Sequence, residues 1–213
     1  MTPDPDADVL ALVDRGDLRA ASTLLMRRHG AAVYRFCREA LQDATLADDV
    51  HQQVFIEALR DLAQFARRST LRTWLFAIAR HRVLDAIKSR RRARGWIGAV
   101  DAADVPDRRP AVDAELDDAE LQAVLVRCIA ALDDDLRTVL LLRFQQGMTF
   151  EDIARVCRKK PGTLQARVAR VLPQLRLAIE REMKPRDAAR PVDARHPPLT
   201  EVVGPTSWQH PAR

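Results

Sequence analysis

The chain has 213 residues, 47% of them hydrophobic and 31% charged, which excludes a wholly disordered polypeptide and leaves room for one large domain or two small ones. No run approaches the roughly 18 consecutive apolar residues of a membrane span. The acidic start Met1-Thr2-Pro3-Asp4-Pro5-Asp6 lacks the basic-then-apolar pattern of a signal peptide, so a cytoplasmic protein with no membrane contact of its own is expected.

The net charge of +5 is unevenly spread. Residues 1–86 balance, 87–109 carry +4, 110–136 carry −7 and 137–184 carry +7, so two basic blocks flank an acidic one. That order suggests two separate contacts with a polyanion, joined by a segment that avoids it. Cys37, Cys128 and Cys157 lie far apart, each within an apolar-periodic stretch, and no pair has metal-ligand spacing. Core thiols in a reducing compartment are expected, with neither metal nor cofactor.

Residues 8–94 read as a helical domain with breaks near Gly16, Gly30, Gln42–Ala44 and Ala66–Thr70. From Ala31 to Arg94 there is neither Gly nor Pro. Val50, Val54, Ala58, Leu59 and Leu62 form one apolar stripe. Leu71, Leu75, Ile78, Ala79, Val83, Ala86 and Ile87 form another, along one face of a 3.6-residue helix. Ser69 or Thr70 would cap the Leu71 helix.

Residues 95–115, with Gly95, Gly98, Pro106 and Pro110 among Asp and Arg, read as a flexible linker that leaves the flanking domains mobile. A second helical domain is expected over 116–184. Leu121, Val124, Leu125, Cys128, Ile129 and Leu132 give its first stripe. Asp133, Asp134 and Asp135 then place negative charge at the start of the next helix, where the macrodipole favours it. Gly147 would end that helix and Thr149 would cap a short one carrying Phe150, Ile153, Ala154 and Cys157 inward. Pro161 stands where a first helical residue can be. A longer helix follows, with Leu164, Val168, Val171, Leu172, Leu175 and Ile179 inward. Pro173 should remove one backbone bond, to Ala169, and kink it. Six of the twelve prolines fall in residues 185–213, which read as a disordered Pro-rich tail. No strand pattern with turn chemistry appears. The expected fold is all-α: two small helical domains, a flexible linker and a disordered tail.

The segment from Thr149 to Ile179 has the layout of a helix-turn-helix. Near the N-terminus of its second helix the outward positions are Lys159, Lys160, Thr163, Gln165, Ala166, Arg167 and Arg170, placed to meet base edges and phosphates. A solvated basic face on an ordinary hairpin is the alternative. At the end of the Leu71 helix, Lys88, Arg90, Arg91, Arg92 and Arg94 put five cations in seven residues, more than complementing a helix dipole requires, which favours phosphate contact. Upstream, Phe65, Arg67, Arg68, Ser69, Thr70, Arg72 and Trp74 interleave aromatics with arginines, as suits unstacked bases. Phe65 and Trp74 serve equally well as core, and for Trp74 alone core is the better reading.

A family resemblance rests on three stretches. Ala47-Asp48-Asp49-Val50-His51-Gln52-Gln53-Val54-Phe55 resembles the signature in the second conserved region of bacterial RNA polymerase sigma factors. Ser69-Thr70-Leu71-Arg72-Thr73-Trp74-Leu75-Phe76-Ala77-Ile78-Ala79-Arg80 is similar to the run that follows it. Gly162-Thr163-Leu164-Gln165-Ala166-Arg167 is similar to the start of the fourth-region recognition helix. Order, spacing and the short linker resemble the extracytoplasmic-function (group IV) type, over about residues 10–180. The resemblance implies region two over 8–94 and region four over 116–184. It also implies a transcription initiation factor rather than an enzyme, with core RNA polymerase, promoter DNA and an anti-sigma factor as partners.

By the same resemblance, Asp49, Gln52, Gln53, Val54 and Phe55 would dock on the clamp helices of the polymerase β′ subunit. Phe65, Arg68, Ser69, Thr70, Arg72, Trp74, Arg80, His81, Lys88, Arg91 and Arg92 would serve the minus-ten element, with the Phe65–Thr70 loop capturing a flipped base. The helix from Pro161 would read the minus-thirty-five element through Lys159, Lys160, Thr163, Gln165, Ala166, Arg167 and Arg170. Preference for the unstacked strand would offset part of the cost of opening the duplex. The sequence departs from the family where Gln165 and Ala166 replace Lys and Ser, His81 replaces Asn, Leu71 an aromatic and Leu59 a Trp. Two other readings are weighed. A stand-alone helix-turn-helix regulator leaves the Asp49–Phe55 signature unexplained. A metal or thiol enzyme using His29, Cys37, His51 and Asp48 or Asp49 lacks three ligands on one helical face.

Overall fold

The computed structural model describes residues 5–96 and 116–183, and every regular element among them is helical. The elements are α1 (Ala7–Asp14), α2 (Leu18–Leu41), α3 (Ala44–Asp61), α4 (Leu71–Trp96), α5 (Leu116–Ala130), α6 (Asp134–Leu140), α7 (Phe150–Cys157) and α8 (Pro161–Met183). A 3-10 turn, Leu62–Gln64, follows α3, and a π turn, Leu141–Gln145, follows α6. The expected linker residues beyond Trp96 and the Pro-rich tail lie outside the described residues. Gly95 and Trp96, read as linker, still belong to α4.

Local chemistry explains the breaks. Gly16 has φ +77° and closes α1, while Gln42, left-handed at φ 54°, closes α2. Asp17 caps α2 and Asp43 caps α3, their carboxylates accepting from Ala20 N and Leu46 N. Thr70 Oγ1 accepts from Thr73 N at 3.1 Å and so caps α4. Gly30 does not break the chain: it lies buried inside α2. The reason is a neighbour, because the ring of His51 on α3 sits over it and donates from Nε2 to the Gly30 carbonyl at 3.2 Å. A Cβ added at Gly30 would meet Met26 Cγ at 3.6 Å and His51 Nε2 at 3.9 Å, both ordinary contacts, so the approach of α2 and α3 does not depend on glycine. His51 also meets Tyr34 and Phe55 edge to ring, at 5.6 and 5.0 Å between centroids.

α4 is the central element. Its stripe of Leu71, Leu75, Ile78, Ala79, Val83 and Ile87 is buried, and Phe76 meets Phe36 of α2 edge to ring at 5.7 Å. The two helical halves also meet each other among the described residues. α4 also packs on α6 and α7, and α2 packs on α6 and the π turn. One apolar core accordingly runs from Val9 to Val171. Arg137 of α6 stitches the halves together: it donates to Ile129 O, Ala130 O and Leu132 O at the end of α5 and to Ala40 O of α2. Burial pushes its pKa down.

In α8 the inward face is Leu164, Val168 and Val171, whereas Leu172, expected inward, is 40% exposed. The helix continues through Pro173. Leu121 and Leu125 of α5 are likewise exposed rather than core. The three cysteines are free and buried, and burial pushes the Cys37 thiol up to about 12.

Candidate nucleic-acid interface

The turn between α7 and α8 is built from three local devices. Thr149 Oγ1 accepts from Asp152 N at 3.1 Å and donates to the Asp152 carboxylate at 2.7 Å, fixing the start of α7. Arg158 takes a left-handed conformation at φ 53° and ends α7. Pro161 then occupies the first position of α8, where its missing N–H costs nothing. With Leu164 and Val168 anchored in the core, Lys160, Thr163, Gln165, Ala166 and Arg170 stand exposed, Thr163, Ala166 and Arg170 on one flank of the buried face and Gln165 on the other. Lys159 is also exposed but pairs with Asp135. Arg167 is half-buried, 2.8 Å from Asp135 and 3.3 Å from Asp133. The carboxylate beside it raises its pKa further.

Around α4 the predicted residues divide. Arg68 and Thr70 are exposed, Ser69 is half-buried, and the loop turns through Arg67 at φ 53°. Phe65 and Trp74 are half-buried against each other, 5.3 Å between ring centroids, so these aromatics support the loop. Arg72 donates to Gln146 O, and its guanidinium lies 5.6 Å from the Phe76 ring centre. Arg80 is buried and faces the C-terminal half, where its Nε donates to Thr138 Oγ1 at 3.1 Å and its fork pairs with Asp135. His81 is exposed, 3.3 Å from Asp85. Lys88 and Arg92 are exposed, and Arg91 lies 2.7 Å from Asp134.

On α3 the 3.6-residue period separates the signature by face. Asp49, Gln52 and Gln53 are exposed, while Val54 and Phe55 point into the core. Val54 and Phe55 are therefore packing residues that fix the helix, and Ile56, 68% exposed, stands beside Gln52 and Gln53 instead.

Sequence reasoning missed what Asp133, Asp134 and Asp135 do. Read as helix-dipole charges, they are that in part, since Asp133 accepts from Leu136 N as the cap of α6. They also collect Arg80, Arg91, Lys159 and Arg167, drawn from α4, the α7–α8 turn and α8. Burial alone would raise the Asp135 pKa, but hydrogen bonds from Lys159 and Arg167 outweigh it and the pKa is lowered. The available signal was the acidic block ending at residue 135 between two basic ones.

Among the described residues no group of three or more His, Cys, Asp or Glu could hold a metal ion, and no helix is long and apolar enough to cross a membrane.

Two family models match the chain: Sigma-70 region 2 over residues 25–93 and Sigma-70, region 4 over residues 122–175. RNA polymerase sigma-H factor of Pseudomonas aeruginosa is 31% identical over 192 residues, 87% of this chain and 97% of that protein. The ECF RNA polymerase sigma factor SigC of Mycobacterium tuberculosis is 38% identical over 139 residues, 65% of this chain and 72% of that protein. SigX of Bacillus subtilis, also an ECF RNA polymerase sigma factor, is 34% identical over 158 residues, 70% and 80% of the two chains. Two solved structures share the fold. CnrH in complex with the cytosolic domain of CnrY aligns with TM-score 0.62 and 24% identity, over 84% of this chain and 99% of that one. The sigma factor RpoE in complex with the anti-sigma factor NepR, from Bartonella quintana, aligns with TM-score 0.56 and 20% identity, over 77% and 97%.

Proposed function

The chain belongs to the sigma-70 family, as an extracytoplasmic-function sigma factor, and from that premise we propose how its residues divide the work. It is a transcription initiation factor and not an enzyme: it binds core RNA polymerase, recognises promoter DNA and helps melt it. The proposed regions are 8–94 for polymerase and the minus-ten element, 95–115 as linker, 116–184 for the minus-thirty-five element, and 185–213 as tail. The proposed location is the cytoplasm, where core polymerase and promoter DNA are.

The observation that carries the assignment of roles is the exposed start of α8, with Lys160, Thr163, Gln165, Ala166 and Arg170 held out by a capped helix and a tight turn. A helix N-terminus so presented fits the major groove, with cations beside it for phosphates. Gln165 offers an amide suited to adenine, and Arg170 and Arg167 offer forks suited to guanine or phosphate. On the other half, Lys88, Arg91 and Arg92 neutralise backbone phosphates, and the Phe65–Thr70 loop holds an unstacked base of the opened strand. Arg72 and His81 would lie along that strand's path, Trp74 would support the loop from behind, and Arg80 would reach the strand on leaving Asp135. Asp49, Gln52 and Gln53 form the polar part of the surface for the β′ clamp helices, backed from below by Val54 and Phe55. An anti-sigma protein is a further proposed partner, supported by the fold shared with RpoE, which was solved with the anti-sigma factor NepR.

Run-off transcription tests this reading, using purified bacterial core polymerase with and without the protein on DNA from upstream of its own gene. A discrete transcript that requires the protein is expected, together with co-elution of protein and core in gel filtration. Failure to co-elute would return the chain to a stand-alone DNA-binding role and overturn the proposed polymerase surface.

A further inference from the structure

We propose that Asp14 of α1, acting through Arg67, is a positioning residue for the Phe65–Thr70 loop and sets how strictly that loop selects its unstacked base. The inference rests on the proposed reading that this loop holds a base of the opened strand. Both ends of the loop are held locally. Phe65 N donates to Leu62 O at 3.2 Å and its ring lies against Trp74, while Thr70 Oγ1 accepts from Thr73 N. The middle is held from outside: the Arg67 guanidinium pairs with the Asp14 carboxylate, fifty-three residues earlier in the chain. Arg67 is also the residue at φ 53°, a left-handed conformation that costs free energy for any side chain other than glycine. The strained turn of the loop thus falls on the residue that is tied to α1.

The helix dipole does not account for Asp14. It is the last residue of α1, where a carboxylate meets the negative end of the dipole, and the last turn holds no basic residue. Its cation is Arg67, from the loop. α1 is itself a fixed support. Val9 is fully buried, and Arg28 of α2 donates to Pro5 O at 2.6 Å and pairs with Asp6 and Asp8 at 3.0 and 2.6 Å. His29 lies 2.9 Å from the buried Asp6. Gly16 N donates to Val13 O at 2.9 Å and closes the helix just beyond Asp14. α1 also precedes the residues matched by Sigma-70 region 2, which begin at residue 25. Both side chains of the pair are about half exposed, so the pair shifts the population of the ordered loop only about two- to fivefold. That is enough to alter selectivity. A base held in the formed loop feels the shift in full, whereas phosphate contacts elsewhere do not.

The test uses the full chain assembled with bacterial core polymerase. Its probe is a fork-junction DNA whose duplex part comes from upstream of the protein's own gene and whose single non-template strand is randomised over the minus-ten element. Sequencing the bound fraction gives the base preference at each position, and 2-aminopurine placed along the strand marks the position that is unstacked. Asp14→Asn and Arg67→Asn each remove the pair, and Asn tolerates the left-handed conformation at position 67. Each should lower the preference at the unstacked position about two- to fivefold, with the other positions and the urea midpoint unchanged. Asp14→Arg combined with Arg67→Asp rebuilds the pair in reverse, places a cation at the end of α1 where the dipole favours it, and should recover the preference. Wild-type preference in Asp14→Asn, or no recovery in the reversed pair, overturns the proposal. A loss at every position with a lower urea midpoint also overturns it, because α1 is then a general support. Tighter binding of all sequences by Asp14→Asn, with weaker binding of all by Arg67→Asn, makes Arg67 a phosphate contact and overturns it too. A wild-type complex with no unstacked base overturns instead the base-capture reading beneath the proposal.

Discussion

Arg80 and Asp135 form an ion pair between α4 and α6, and the same guanidinium donates from Nε to Thr138 Oγ1 at 3.1 Å. A carboxylate surrounded by Arg80, Lys159 and Arg167 stays ionised below its ordinary 3.8, although burial works against this. A depressed pKa contributes stability that is complete above the unfolded value and is lost as pH falls through the folded one. The two halves are therefore expected to stay together from neutral pH down to about 4 and to separate in stronger acid. Energy transfer between labels on α3 and α8 would follow this. Separation already complete at pH 6 would show that other groups govern the contact.

Arg137 is the more important residue for stability. Its guanidinium serves three carbonyls at the end of α5 and one at the end of α2, while burial disfavours its charge. Arg137→Met keeps an apolar stem but strands those acceptors at two helix C-termini. The expected cost is about 2–4 kcal/mol, read as a lower urea midpoint. A loss under half a kilocalorie would mean that water replaces the guanidinium without difficulty.

Gly30 illustrates both how far the sequence could be read and where that reading stopped. A glycine in a polar-flanked stretch, Arg28-His29-Gly30, reads as a break, yet it lies inside α2, with its carbonyl accepting from His51, twenty-one residues away. Local signals were legible because they act within one turn: the Thr70 and Thr149 caps, Pro161 as a first residue, and the apolar stripe of α4. Arg80 looked like one more cation on a basic helix, because nothing in its own neighbourhood indicates that α6 lies against it. The Asp133–Asp135 turn was visible as a charge block, but its partners come from three separate elements. An added Cβ at Gly30 meets Met26 Cγ at 3.6 Å and His51 Nε2 at 3.9 Å, both ordinary contacts. Gly30→Ala is therefore expected to stabilise the protein by about 0.5–1 kcal/mol through helix propensity, measured by chemical denaturation. Destabilisation would show that the α2–α3 approach is tighter than those distances indicate.

The two basic surfaces should differ in what they discriminate. Arg167 stands on α8 one turn from Arg170, beside the exposed edge that faces the groove in the proposed complex, and Arg91 stands near the end of α4 among other cations. A contact to a base edge carries sequence information, and a contact to phosphate carries none. Arg167→Ala should weaken promoter binding and relax preference at one minus-thirty-five position by about 1–3 kcal/mol of discrimination. Arg91→Ala should weaken binding to all sequences alike and reduce the slope of log affinity against log salt by about one. Both substitutions also release a cation from the acidic turn, so binding is best compared in the polymerase holoenzyme, where the two halves are expected to be held apart. If Arg91→Ala changed base preference while Arg167→Ala did not, the roles of the two surfaces would be reversed.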